Sequence, residues 1–241
     1  MPPASLSHRD RLIVALDTPT VAEARTLVTA LGDCVGFYKI GLELVMNGGF
    51  DLARGLIAEG KDVFLDMKLL DIANTVEKAT ANAAALGVTF LTVHGTDTKT
   101  LAAAVKGRGR SPLALLAVTV LTSLTRDDLV EQGITKTPAD LVLHRARLAK
   151  AAGFDGVIAS GQESAPLRQA FPSDFLIVTP GIRMTGDASG DQARVTTPSK
   201  AIADGADYLV VGRSITAARD PKAAAELVVQ DIAGGATLHR R

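Results

Sequence analysis

The chain has 241 residues, of which 47% are apolar, and its 26 Lys plus Arg balance 26 Asp plus Glu. Balanced charge gives no global field to draw in nucleic acid or an anionic membrane, so any anion site has to be local. A single cysteine, Cys34, excludes an intramolecular disulfide or a thiolate metal cluster, and it favours a reducing, cytoplasmic setting. The absence of Trp argues against base-stacking platforms. The first residues, MPPASLSHRDR, carry no apolar export core, and no stretch reaches the length of a membrane span, so a soluble protein is expected.

In chain order, strand-like runs are predicted at residues 11–17, 36–40, the start of 62–76, 90–94, 113–122, 156–160, 176–182 and 208–214. Helix-like runs lie between them, among them 21–31, 50–59, 75–86, 139–152 and 198–204, and a last helix at 221–232 opens with Pro in its first turn. Gly32, Gly60, Gly87, Gly153 and Gly205 sit where a helix C-terminus takes a positive φ. Eight strands in alternation with helices, and no GxGxxG after the first, predict an α/β fold: one (β/α)8 TIM barrel over residues 1–241, with its core at about 11–232. The residues from Gly234 onward are expected to fray, and Lys106, Arg108 and Arg110 to form a solvated turn.

The stretch DVFLDMKLLDIANTV organises the rest. Val63, Leu65, Met67 and Leu69 fall on one face of its strand, and Phe64, Asp66 and Lys68 on the other. The charged pair lies at the C-terminal end, where barrels keep their chemistry. Asp17 ends strand one on the face of Ile13 and Ala15, and Lys39 ends strand two on the face of Phe37. Taken singly, each has a strand-end salt bridge as its alternative reading; four such charges on adjacent strands point to a site. Asp71 breaks the alternation and reads either as a functional carboxylate or as the N-cap of the next helix.

Strand seven runs into TPGIRMTGDASGDQARVTTP, which carries Arg183, Thr185, Gly186, Gly190, Gln192 and Arg194; strand eight ends in VVGRSI, with Gly212, Arg213 and Ser214. The loops after strands seven and eight are the usual phosphate site of such barrels, and arginine adds a bidentate grip. Thr122 and Ser123 after strand five either face a ligand ring or cap a turn. His94 is a base, a metal ligand or, more commonly for a lone rim histidine, a packing residue. No His, Asp and Glu group has metal-site spacing, and Ser160 with Gly161 lacks the flanks of a hydrolase nucleophile.

With LIVALD before it and TPGIR and VVGRSI after it, LDMKLLDIANTV resembles orotidine 5'-monophosphate decarboxylase of the bacterial type, over residues 11 to about 232. The resemblance implies a (β/α)8 homodimer that converts orotidine monophosphate to UMP and CO2 without metal or organic cofactor. It implies Lys68 as proton donor in a network with Lys39 and Asp66, and Asp71 and Thr75 supplied by the partner subunit. It also implies ribose contacts from Asp17 and Lys39, pyrimidine contacts from Thr122 and Ser123, and phosphate contacts from Arg183, Gln192, Gly212 and Arg213. The commoner motif has His and Pro where this chain has Leu70 and Ala73; neither change removes a charged group. The competing readings are an Mg²⁺-dependent sugar-phosphate decarboxylase of a related barrel, a Schiff-base aldolase using Lys68, and a phosphate binder without activity.

Overall fold

Eight parallel strands close on themselves in chain order, and the last returns to the first through the pairs Leu12 with Leu209 and Val14 with Val211. The computed structural model describes residues 6–186 and 194–239. Its first half runs β1 (Leu12–Ala15), α1 (Val21–Leu31), β2 (Phe37–Gly41), α2 (Leu42–Val45), α3 (Gly49–Ala58), β3 (Asp62–Leu69), α4 (Ala73–Leu86), β4 (Phe90–His94) and α5 (Thr98–Arg108). The second half runs β5 (Ala114–Val118), α6 (Arg126–Glu131), α7 (Pro138–Ala152), β6 (Gly156–Ile158), α8 (Gly161–Ala170), β7 (Leu176–Thr179), α9 (Pro198–Ala203), β8 (Tyr208–Val211), α10 (Arg213–Thr216) and α11 (Pro221–His239). This is the (β/α)8 barrel that the alternation predicts. None of the described helices is long and apolar enough to cross a membrane.

Local sequence explains the outer ring. In α1, Thr20 accepts from the backbone N–H of Glu23, and Ala24, Leu27, Val28 and Leu31 repeat at helical spacing on the buried side. In α7, Thr137 caps, Pro138 opens the first turn, and Leu141, Val142, Ala146 and Ala149 face inward. Gly153 ends that helix at φ 93°, in the left-handed region where a side chain is strained.

Two cores result, because alternate strand residues point to opposite faces of the sheet. The outward-pointing residues Val14, Tyr38, Leu65 and Leu91 pack under the helices. Inside the barrel lie Ile13, Ala15, Phe37, Phe64, Phe90, Leu116, Val178, Tyr208 and Val210. Phe90 is the hub of an aromatic group, with ring centroids 5.0 Å from Phe37, 5.2 Å from Tyr208 and 6.0 Å from Phe64. Edge-to-face packing of this kind adds about 0.5–1.5 kcal/mol per pair beyond area burial.

Four expectations need correction. The strands at residues 113–122, 176–182 and 208–214 stop early, at Val118, Thr179 and Val211, because the chain leaves the ladder at the rim. Arg108 is no solvated turn: it ends α5 and pairs with Asp155 at 2.6 Å, while Lys106 pairs with Glu77 at 2.8 Å. The tail does not fray at Gly234, since α11 continues to His239. Gly235 lies so close to α9 that an added Cβ would sit 2.2 Å from the Ser199 carbonyl oxygen, and Ala236 packs on the core. Finally, Asp71 does not cap α4: Ile72 holds the cap position without a side-chain bond, and Asp71 Oδ1 accepts from the Ile72 N–H at 2.6 Å.

Candidate active site

At the C-terminal rim the last inward residues of the strands surround a cleft of about 510 Å³. Asp17, Lys39, Asp66 and Lys68 line it at one end, and Arg183, Gly212 and Arg213 line it as well. The parity that sends Phe37 and Phe64 into the aromatic floor brings Lys39 and Asp66 to the mouth, two residues further on.

The four charges alternate in sign. Lys39 Nζ donates to Asp17 Oδ1 at 2.8 Å and lies 3.6 Å from Asp66 Oδ2. Lys68 Nζ donates to the same Asp66 oxygen at 2.7 Å, and Asp66 Oδ1 accepts from Thr92 Oγ1 at 2.9 Å. Lys39 and Asp66 are only 8% and 9% exposed, so the charges interact through protein more than through water. Burial pushes the Asp66 carboxyl up, but the Lys39 and Lys68 charges and the hydrogen bonds from Lys68 and Thr92 outweigh it and hold the group below its ordinary value.

Backbone geometry aims the lysine. Between Leu65, opposite Leu91, and Leu69, opposite Val93, β3 takes four steps against two on β4. The excess is absorbed in a bulge, where Lys68 has φ 49°, the one positive value at a non-glycine residue among the described residues. Its N–H leaves the ladder and donates to Thr92 Oγ1 at 2.9 Å. Such a conformation costs on the order of 1–3 kcal/mol and persists where surrounding structure enforces it, commonly at functional sites.

Sequence reasoning passed over two participants. Thr92 holds both the Asp66 carboxylate and the Lys68 backbone, and its signal was an inward hydroxyl between Phe90 and His94. At Gly41 an added Cβ would lie 3.0 Å from both Asp17 Oδ1 and Lys39 Nζ, so that ion pair rests on bare backbone. A glycine directly after the predicted strand end was the available sign of a close approach.

The remaining candidates sort themselves. Thr122 and Ser123 line the cleft. Further on, Thr125 forms a capping box with Asp128 at the start of α6. Gly212 precedes α10 and Arg213 opens it. Gly190 and Gln192 lie outside the described residues. Asp71 and Thr75 are exposed and do not line this chain's cleft. His94 is half-buried; burial, then the Arg145 and Lys68 charges, keep it below its ordinary value and so neutral at pH 7. Arg194 does not line the cleft and is paired with Glu163. Among the described residues no group of three or more His, Cys, Asp or Glu is arranged to hold a metal ion.

A barrel with a charge-paired lysine and two arginines in one rim cleft defines a class, the (β/α)8 enzymes that act on phosphorylated small molecules. The model of the orotidine 5'-phosphate decarboxylase / HUMPS family matches residues 10–228, and the chain belongs to that family. An orotidine 5'-phosphate decarboxylase of Bradyrhizobium sp. (strain ORS 278) is 52% identical over 98% of this chain and 97% of its own length. The protein of that name from Rhodopseudomonas palustris (strain BisA53) is 53% identical, over 95% and 97% respectively. The crystal structure of orotidine 5'-phosphate decarboxylase from Lactobacillus acidophilus superposes with a TM-score of 0.81 at 40% identity, covering 92% of this chain and 98% of that one.

Proposed function

We propose that the cleft decarboxylates orotidine 5'-monophosphate to UMP and CO2, the last step of de novo pyrimidine nucleotide synthesis. The chain is a carbon–carbon lyase of its family. The observation that carries the reading is the run Asp17, Lys39, Asp66 and Lys68, alternating in sign, in one cleft with Arg183 and Arg213.

When the bond between C6 and the carboxylate breaks, its electron pair stays on C6 in an orbital that the ring stabilises poorly. The burden falls on fixed charge, which acts strongly in a partly desolvated site and needs no reorganisation at the moment of reaction. The Lys68 ammonium neutralises the developing carbanion and then transfers its Nζ proton to C6; the neutral amine is reprotonated from solvent. Asp66 keeps Lys68 aimed, and Lys39 balances the second negative charge of the run. Asp17 and Lys39 bind ribose hydroxyls, Thr122 and Ser123 the pyrimidine, and Arg183, Gln192, Gly212 and Arg213 the phosphate. No metal or organic cofactor takes part in this scheme.

The working unit of this reading is a homodimer, in which Asp71 and Thr75 complete the partner's site. Its support is a set of uncovered apolar side chains: Leu70 and Ile72, which flank Asp71 in the chain, with Ile72 72% exposed, and Met46 and Phe50 on the α2–α3 segment, with Met46 86% exposed. A groove of about 680 Å³, lined by Phe50, Met67, Leu69 and Leu86, adjoins it. The same reading assigns the enzyme to the cytoplasm, where a lone thiol such as Cys34 stays reduced.

The test is loss of orotidine monophosphate absorbance with purified protein, with and without EDTA. Decay to UMP in both conditions is expected. Decay abolished by EDTA would point to a metal-dependent decarboxylase, and no decay in either would reject the reaction.

A further inference from the structure

The residues that returned no role in the chemistry include one buried ion pair. Arg194 and Glu163 are joined through Nη1 and Oε1, with side chains only 11% and 9% exposed. The second carboxylate oxygen of Glu163 accepts from Ser160 Oγ. The other arm of the guanidinium, Nη2, donates to the carbonyl of Leu121 at 3.0 Å and lies 3.5 Å from that of Val120.

These contacts join three consecutive rim loops. Val120 and Leu121 immediately precede Thr122 and Ser123 in the loop after β5. Ser160 and Glu163 begin α8 after β6. Arg194 lies ahead of α9, and Thr196, two residues on, bridges Ile182 after β7, with Arg183 N–H donating to Thr196 O at 3.0 Å. The contact with α8 is tight, since a Cβ on Gly161 would fall 2.2 Å from Thr196 Cγ2.

A buried ion pair is a poor device for stability, because desolvation offsets most of the attraction, and its better-attested use is to fix one arrangement against its alternatives. Here even the Nε of Arg194 is buried without a partner, a further cost borne by the fold. We infer that Arg194, clamped by Glu163, is a positioning residue that holds the pyrimidine-side loop after β5 in register with the phosphate-side loop after β7. The inference rests on the functional reading above, because it takes Thr122 and Ser123 to meet the base and Arg183 to meet the phosphate. It touches no reacting atom; it sets the spacing between the two ends of the substrate.

The consequence is specific to substrates that engage both ends. Arg194→Ala and Glu163→Gln in the full chain are assayed on orotidine monophosphate and, at high enzyme concentration, on orotidine, which lacks the phosphate. Misplacement of about 1 Å costs on the order of 100-fold in rate, so Arg194→Ala is expected to lose about 100-fold in kcat/KM on the nucleotide and about tenfold or less on the nucleoside. Glu163→Gln, which keeps the shape, is expected to shift the same preference less. Equal losses on both substrates, or none, would overturn the inference. If Arg194→Ala does not fold, Glu163→Gln decides by the same ratio. A wild-type protein inactive on the nucleotide would instead bring down the functional reading itself.

Discussion

Lys68 reaches Asp66 at 2.7 Å from a backbone held at φ 49°, so the residue with the shortest ionic contact in the cleft network is also the one in the least favourable conformation. Function and stability therefore separate at this position. In the proposed mechanism Lys68→Ala removes both the charge that faces the carbanion and the proton that quenches it; turnover is expected to fall by more than about 10⁴-fold, while UMP binding stays measurable by calorimetry. Lys68→Gly is equally inactive but relieves the left-handed backbone, and urea unfolding is expected to show it about 1 kcal/mol more stable than Lys68→Ala. Retained turnover in either variant would reject the proton-donor role.

Asp66 gives a pH signature. Its folded-state value lies below the ordinary 3.8, so its ionised form contributes stability that is fully present above that value and is lost as pH falls through the folded value. Asp66→Asn has no such titration. The gap in unfolding free energy between wild type and Asp66→Asn is expected to stay flat from neutrality down to about pH 5 and to narrow below pH 4. A gap that widened on acidification would mean that burial, not the two lysines, governs this carboxylate.

Arg213 tests the proposed phosphate grip. It opens α10 and, as a proposed phosphate contact, does not touch the bond that breaks, yet binding energy from a non-reacting group is expressed in the transition state. Arg213→Ala is expected to lower kcat as well as raise KM on orotidine monophosphate, with a combined loss on the order of 10³-fold for one charge-assisted anchor. On orotidine the same variant should differ little from wild type. An effect confined to KM would limit Arg213 to ground-state binding.

The proposed sharing of sites between subunits predicts complementation. Asp71→Ala and Lys68→Ala homodimers should each be inactive, because every site lacks one group. In a mixed dimer both lesions fall in one site and the other is intact, so about half of the wild-type activity per dimer is expected. Mixing that restores nothing, with heterodimers verified by mass spectrometry, would place Asp71 outside the partner's site.

The strand alternation was legible because period-two patterning and helix-ending glycines are local, and Asp17, Lys39, Asp66 and Lys68 were legible because parity carries charge to the rim of any such barrel. Strand ends were less so: Val120 and Ile182 are as apolar as the residues before them, and only closure of the ladder decides where pairing stops. Lys106 and Arg108 were misread because their partners, Glu77 and Asp155, are 29 and 47 residues away. Thr92 and Gly41 share that limit, since each acquires meaning only from side chains on neighbouring strands. The buried clamp of Arg194 on Glu163 spans 31 residues and has no local pattern at all.

The aromatic group of Phe37, Phe64, Phe90 and Tyr208 does more than fill the barrel. It is a plug: Phe64 lines the cleft from below, and the four rings are packed against one another and buried. The floor offers neither product of the reaction a way through, so both CO2 and UMP leave on the side of the rim. CO2, the smaller product, slips out past UMP or waits for it, so product departure is shaped by the bottom of the barrel as well as by the residues at its mouth.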